Sequence, residues 1–296
     1  MIDELNAKFG NPEITFGIGN GNLPKAIIRN NLGSAEVYLH GAHITAFQPT
    51  GAEPVLWMSD SAVFNPPKPI RGGVPICWPW FSAHPSDPDK PQHGFARNRQ
   101  WTVRSSTANA DGSTTLVLGL TDCGETRAIW PHPFDLQFTI AVGSELKLDL
   151  RARNTGDNPV DVGAALHTYF SIGAIEKIAV SGLEGREYHD QLDSMQLKPQ
   201  SGDIRFGEEV DRIYINTDDT CTIVDSAMSR KIQVAKSGSR STVVWNPWIA
   251  KAARMPDYDD EGYKTMVCIE TTNAARDIRT LTPGEEHTIT QMVSLA

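Results

Sequence analysis

Strict alternation of apolar and polar residues constrains this chain more than any other feature. In Glu145-Leu-Lys-Leu-Asp-Leu-Arg-Ala-Arg153, Leu146, Leu148, Leu150 and Ala152 fall on one side and the charges on the other. A period of two fits an extended strand with one face buried and one wet, and it does not fit a helix. Residues 115–120, 134–142 and 36–39 repeat the pattern. Turn-forming clusters separate such runs: Ala110-Asp-Gly, Asn154-Thr-Gly-Asp-Asn-Pro, Asn216-Thr-Asp-Asp, Lys236-Ser-Gly-Ser and Thr282-Pro-Gly. Helical stretches are few and short. Many strands without intervening helices predict an all-β chain folded as a large antiparallel β-sandwich. No linker, repeat or low-complexity segment divides it, so residues 1–296 are expected to form a single domain. The proline-rich run 85–91 is too short for a tether and reads as a surface loop.

Charge narrows the partners. Asp and Glu outnumber Lys and Arg by 36 to 27, a net charge of −9. That balance argues against nucleic acid or an anionic membrane, so a small molecule is the expected partner. The first residues, Met1-Ile-Asp-Glu-Leu-Asn, lack the basic end and apolar run of a signal peptide. No apolar run approaches the roughly 18–20 residues of a membrane span. Cys77, Cys123, Cys221 and Cys268 are scattered with no C-x-x-C pair, and a cytoplasmic protein with reduced thiols is expected. Gly17-Ile-Gly-Asn-Gly-Asn misses the dinucleotide register, and there is no phosphate-binding loop or serine elbow. His40 and His43, three apart on a strand, point to opposite faces and make a poor metal pair.

Residues 71–101 stand apart. They gather three arginines, two histidines and five aromatics around glycines that allow close backbone approach to a ligand. Arg71 and Arg97 suit an anionic ring-shaped molecule, because guanidinium forks grip phosphate or carboxylate; either could also serve an ordinary surface ion pair. Trp78, Trp80, Phe81 and Phe95 could be a sugar platform or plain core. In Ala164-Ala-Leu-His-Thr-Tyr-Phe170, Ala165, His167 and Tyr169 share one face. In Thr265-Met-Val-Cys-Ile-Glu270, Met266, Cys268 and Glu270 do. A buried strand histidine is often only a hydrogen-bonded core residue, but a carboxylate on an apolar strand is costly unless paired or raised in pKa. Together the two could make an acid/base couple. The acidic stretch Asp257, Asp259, Asp260, Glu261 reads as solvated surface.

Six motifs then fall in one order along the chain: Arg71-Gly-Gly-Val-Pro, Gln92-His-Gly-Phe-Ala-Arg97, Leu166-His-Thr-Tyr-Phe170, Val210-Asp-Arg-Ile-Tyr214, Trp245-Asn-Pro-Trp248 and Val267-Cys-Ile-Glu270. In that order they resemble the hexose-6-phosphate 1-epimerases, the phosphohexose mutarotases of the galactose-mutarotase-like superfamily. The resemblance runs from about residue 35 to the C-terminus. It implies that superfamily's β-sandwich, a monomer, and interconversion of the α and β anomers of an aldohexose 6-phosphate, glucose 6-phosphate first, with no cofactor and no metal. It implies His167 as general acid, Glu270 as general base, and substrate contacts at Arg71, Gln92, Arg97 and Asp211, with His93 as a second histidine. Two alternatives share the scaffold. An aldose 1-epimerase of unphosphorylated hexose would leave the paired arginines without a counter-charge. A non-catalytic sugar-phosphate-binding regulator would need neither His167 nor Glu270. A glycoside hydrolase would need two carboxyl groups about the bond, and only Glu270 has the setting.

Overall fold

The alternating segment becomes the strand Leu146–Asn154, with Leu146, Leu148, Leu150 and Ala152 buried and the charged residues between them facing water. The structure, a computed structural model, describes residues 1–296. Leu146–Asn154 lies between Phe134–Val142 and Glu286–Leu295 in an antiparallel sheet of eight strands. From one edge that sheet runs Thr102–Ala108, Thr114–Thr121, Phe134–Val142, Leu146–Asn154, Glu286–Leu295, Arg230–Ser237, Cys221–Asp225 and Ile178–Ser181. The last strand of the chain therefore sits in the middle of the sheet.

A second eight-stranded antiparallel sheet carries the residues of interest. Its order is Ile76–Cys77, Ala164–Leu166, Met266–Asn273, Ser241–Asn246, Val210–Ile215, Glu187–Asp190 and Gln196–Pro199, with Tyr169–Ser171 also on Met266–Asn273. Ser241–Asn246 and Met266–Asn273 are buried along their whole length, as expected of strands covered on both faces. A smaller sheet holds the four strands between Ile14 and Pro49, and only three short α-helices occur. None of them is long and apolar enough to cross a membrane. Inner-face side chains of both large sheets join one core cluster of 58 buried residues. Each Leu, Ile, Val or Phe buried there contributes roughly 1.5–3 kcal/mol against exposure. A separate cluster of 11, including Trp57, Tyr169, Trp245, Tyr258 and Cys268, packs beneath the other face of the second sheet.

Three expectations are corrected. The segment around His167 is not one continuous strand: the ladder stops at Leu166 and resumes at Tyr169. At the break Thr168 N donates to Leu166 O at 3.0 Å, His167 N to Pro75 O at 3.0 Å and Tyr169 N to Gly73 O at 2.9 Å. Second, the glycines of the 71–101 region allow the backbone to approach itself and not a ligand. Gly73 (φ 59°) would drive a Cβ into the Ile44 carbonyl, and Gly94 (φ 69°) into that of Trp78. Third, the acidic stretch is only partly a solvated surface. Asp259 accepts from Asp60 N (2.7 Å), Ser61 N (3.0 Å), Ser61 Oγ (2.6 Å) and Ser59 Oγ (3.2 Å), and Asp257 meets Arg71.

The aromatics divide. Trp78, Phe95 and Trp101 are core residues; Trp78 packs on Phe134 at 4.6 Å and edge-on to Phe95 at 5.8 Å between ring centroids. Phe81 is half-exposed and borders a cavity. His40 and His43 are structural. Their Nε2 atoms meet the carbonyls of Lys68 and Gly72, each at 2.8 Å, and burial pulls His43 down to about 3, so it stays neutral.

Candidate active site

The register of the second sheet brings two chemistries face to face. Leu166 pairs with Thr271 and Tyr169 with Cys268, so the interrupted positions His167 and Glu270 oppose each other across the break. His167 Nε2 stands 3.5 Å from Glu270 Oε1, with side chains 10% and 1% exposed. That is longer than a good hydrogen bond, yet close enough for both groups to reach the same ligand atoms. Tyr169 stacks on the His167 ring (4.9 Å, 11°), and Trp245 and His93 meet it edge-on, each at 5.8 Å. Three aromatic neighbours fix the imidazole plane, and the 71–75 segment fixes its backbone.

The cavity in front of this pair has a volume of about 540 Å³. It is lined by all seven residues singled out in the sequence: Arg71, Gln92, His93, Arg97, His167, Asp211 and Glu270. Lys251, Trp245, Gln191 and Met255 line it too, and none of these was assigned a role from the sequence. Lys251 stands on the short helix Trp248–Ala252, directly after the Trp245-Asn-Pro-Trp248 motif. Asn246 explains its position: its side-chain amide donates to Tyr263 O and Met266 O, each at 2.9 Å, and its Oδ1 accepts from Trp248 N at 2.9 Å. The Asn-Pro pair that closes the strand was the available signal for a chain reversal over the strand end. From the 82–91 loop, Ser82 reaches this cavity, whereas His84 and Pro85 border a neighbouring one.

The cations are not equivalent. Arg71 donates to Tyr169 Oη at 3.1 Å and to Asp257 Oδ1 at 3.2 Å. Burial pulls its pKa down, but Tyr169 and Asp257 outweigh that and the net shift is upward. Lys251 is shared by Glu209 (3.1 Å) and Asp211 (3.3 Å). Arg97 has no carboxylate partner; its Nη2 donates to Gln92 O at 2.9 Å. Among the cavity cations it is the one whose charge the protein leaves uncompensated.

Burial governs the titrating groups. Glu270 is pushed well above the usual carboxylate range by desolvation and by the Asp211 carboxylate, against the pull of Arg97. His167 is pushed well below the ordinary histidine value by desolvation, then by Arg97 and Arg71. His93 is depressed likewise by burial, Arg97 and His167. Its Nδ1 accepts from Ser82 N at 3.2 Å, so the proton of its neutral ring sits on Nε2. Asp211 is raised by burial against Lys251 and Gln191. Glu270 Oε2 and His167 Nδ1 are buried without a protein partner. Both members of the opposed pair are thus disfavoured as ions.

Metal binding is a poor match. Ligand atoms of His167, Cys268 and Glu270 lie within 4.8 Å of one another, but burial pushes the Cys268 thiol well up and keeps it protonated. A cation would also meet the fields of Arg97, Arg71 and Lys251 already acting on His167.

The sequence profile of the aldose 1-epimerase family matches residues 24–294. The chain belongs to the aldose 1-epimerase family. Over 241 residues this epimerase is 40% identical to an Escherichia coli K12 protein named "Putative glucose-6-phosphate 1-epimerase", covering 81% of this chain and 80% of that one. A Cenchrus ciliaris protein of the same name is 38% identical over 274 residues, or 89% and 82% of the two chains. A crystal structure of a "putative mutarotase" from Salmonella typhimurium superposes with a TM-score of 0.90 at 32% identity, covering 100% of the epimerase and 99% of that chain. The galactose-mutarotase-like sandwich expected from the sequence is therefore the fold of the epimerase.

Proposed function

We propose that this epimerase interconverts the α and β anomers of hexose 6-phosphates, with glucose 6-phosphate as the first substrate. One observation carries the choice of a phosphorylated sugar: Arg97, a cavity cation without a carboxylate partner. A phosphate monoester brings about −1.5 to −2 charges at neutral pH, which a neutral hexose does not. The names carried by relatives at 38–40% identity support the same reading.

In this reading Glu270 takes the proton of the C1 hydroxyl and His167 gives one to the ring oxygen. The C1–O5 bond breaks and leaves an open-chain aldehyde. Rotation about C1–C2 exposes the other carbonyl face, and reclosure with the proton transfers reversed yields the other anomer. General acid–base help of this kind is typically worth about 10²–10⁴-fold. The pair carries one proton throughout. Facing the closed sugar it is imidazolium and carboxylate; facing the aldehyde it is imidazole and carboxylic acid. Burial favours the second, uncharged state in the free site, so the ring-opened side is the one for which the site is already set. Arg97, with Arg71, holds the phosphate. Asp211 and Gln92 accept from and donate to ring hydroxyls, and His93 Nε2–H donates a further hydrogen bond.

The test is direct. Pure α-glucose 6-phosphate is dissolved and its relaxation to the anomeric mixture is followed by rapid polarimetry or NMR exchange, with and without the protein. Acceleration is expected. Acceleration of free glucose alone would move the substrate to unphosphorylated sugar and overturn the assignment to Arg97.

A further inference from the structure

Behind the catalytic pair the two large sheets meet, and one polar side chain spans the gap. Gln291 belongs to the central strand Glu286–Leu295 of the opposite sheet and is 0% exposed. Its inward-facing neighbours Ile289 and Val293 are buried and apolar, so a glutamine there is costly unless every polar atom is used. Both ends of its amide are used. Thr168 Oγ1 donates to Gln291 Oε1 at 2.5 Å, and Gln291 Nε2 donates to Thr271 Oγ1 at 3.1 Å and towards Ile269 O at 3.4 Å. Thr168 follows His167, and Ile269 and Thr271 flank Glu270. Alternation along the strands sends these three neighbours into the core while His167 and Glu270 face the cavity. The bridge also falls where the backbone ladder between the two segments is interrupted, between Leu166 and Tyr169.

We infer that Gln291 is a positioning residue: from the opposite sheet it clamps the segments of His167 and Glu270 at a fixed separation where the backbone ladder does not. This rests on the reading of those two residues as the acid/base pair. A misplacement near 1 Å can cost about 10²-fold in rate, and the pair must act on two atoms of one sugar ring at once.

The experiment compares Gln291→Leu, Thr168→Val, Thr168→Ser and a control, Leu116→Ala, which empties core on a strand remote from both catalytic segments. Gln291→Leu and Thr168→Val are each expected to lower kcat by about 10–100-fold with KM changed less than about threefold. Their double variant should be little worse than either single one, and Thr168→Ser should restore most of the loss. Leu116→Ala should lower Tm with kcat kept. The ¹⁵N imidazole resonances of His167 should shift in Gln291→Leu and stay in place in Leu116→Ala. Should Gln291→Leu fail to fold, the Thr168→Val and Thr168→Ser pair carries the comparison. A kcat within twofold of the parent, a loss matched by Leu116→Ala, or Thr168→Ser behaving as Thr168→Val would overturn the inference. If the parent does not accelerate any hexose 6-phosphate, the proposed substrate fails separately. The imidazole resonances, read without substrate, then still decide whether Gln291 orients His167.

Discussion

Burial makes Glu270 harder to ionise and His167 harder to protonate, and in the proposed mechanism the two share one proton. Glu270→Gln and His167→Ala should each reduce acceleration of glucose 6-phosphate anomerisation by at least about 10²-fold with substrate affinity by calorimetry largely kept. Near-normal turnover in either variant would show that the proton transfers lie elsewhere. The pH dependence follows from the two directions. His167 is depressed, so the pair gains a second proton only below the ordinary value of 6.5. Glu270 is raised, so the last proton leaves well above 4.5. kcat/KM should form a bell whose acid limb lies below 6.5, its two apparent constants belonging to the coupled pair and not to either residue. A single rising limb centred at 6.5 would contradict it. Arg97→Ala should raise KM for glucose 6-phosphate at least about tenfold more than for free glucose, since it removes a charge-assisted contact that only the phosphate makes.

The connection between Ser241–Asn246 and Met266–Asn273 brings Lys251 and Met255 to the cavity and Asp257 to Arg71, and Asp259 fastens it to residues 59–61 through four hydrogen bonds. Asp259→Ala frees that fastening without touching the cavity. It should raise KM for glucose 6-phosphate several-fold while kcat changes less, in steady-state polarimetry; an unchanged KM would mean that the connection holds its place without Asp259. This element also shows where sequence reading stops. Alternation made the strands legible, and the shared faces of His167 with Tyr169 and of Cys268 with Glu270 followed from it. All seven nominated residues do line one cavity. The interruption at His167 was not legible, because it is set by hydrogen bonds that His167 N and Tyr169 N donate to the carbonyls of Pro75 and Gly73, nearly a hundred positions away. Nor was the Arg71–Asp257 pair, whose partners are 186 residues apart. An aspartate that will meet a distant arginine has no local pattern to separate it from a solvated one. Lys251 was hidden for the same reason: only the chain reversal at Asn246 puts it over the site.

At the scale of the whole molecule the site is a liability for stability. Glu270's folded pKa is raised above its unfolded value near 4.5, so its contribution is fully present below 4.5 and is lost as pH rises through the folded value. Replacing it with glutamine should therefore stabilise the protein more at pH 8 than at pH 5. The gain is read as a difference in Tm between variant and parent, larger at pH 8 than at pH 5. Equal Tm values for variant and parent at both pH values would mean that the carboxylate ionises in place without cost. The central place of Glu286–Leu295 has a different consequence. On a ribosome this strand emerges after both of its neighbours, yet it must slot between Leu146–Asn154 and Arg230–Ser237, which until then face each other across an open gap with unpaired edges. Such a sheet cannot close piecemeal during synthesis. The nascent chain has to wait, with its two halves exposed, for Glu286–Leu295 to be made.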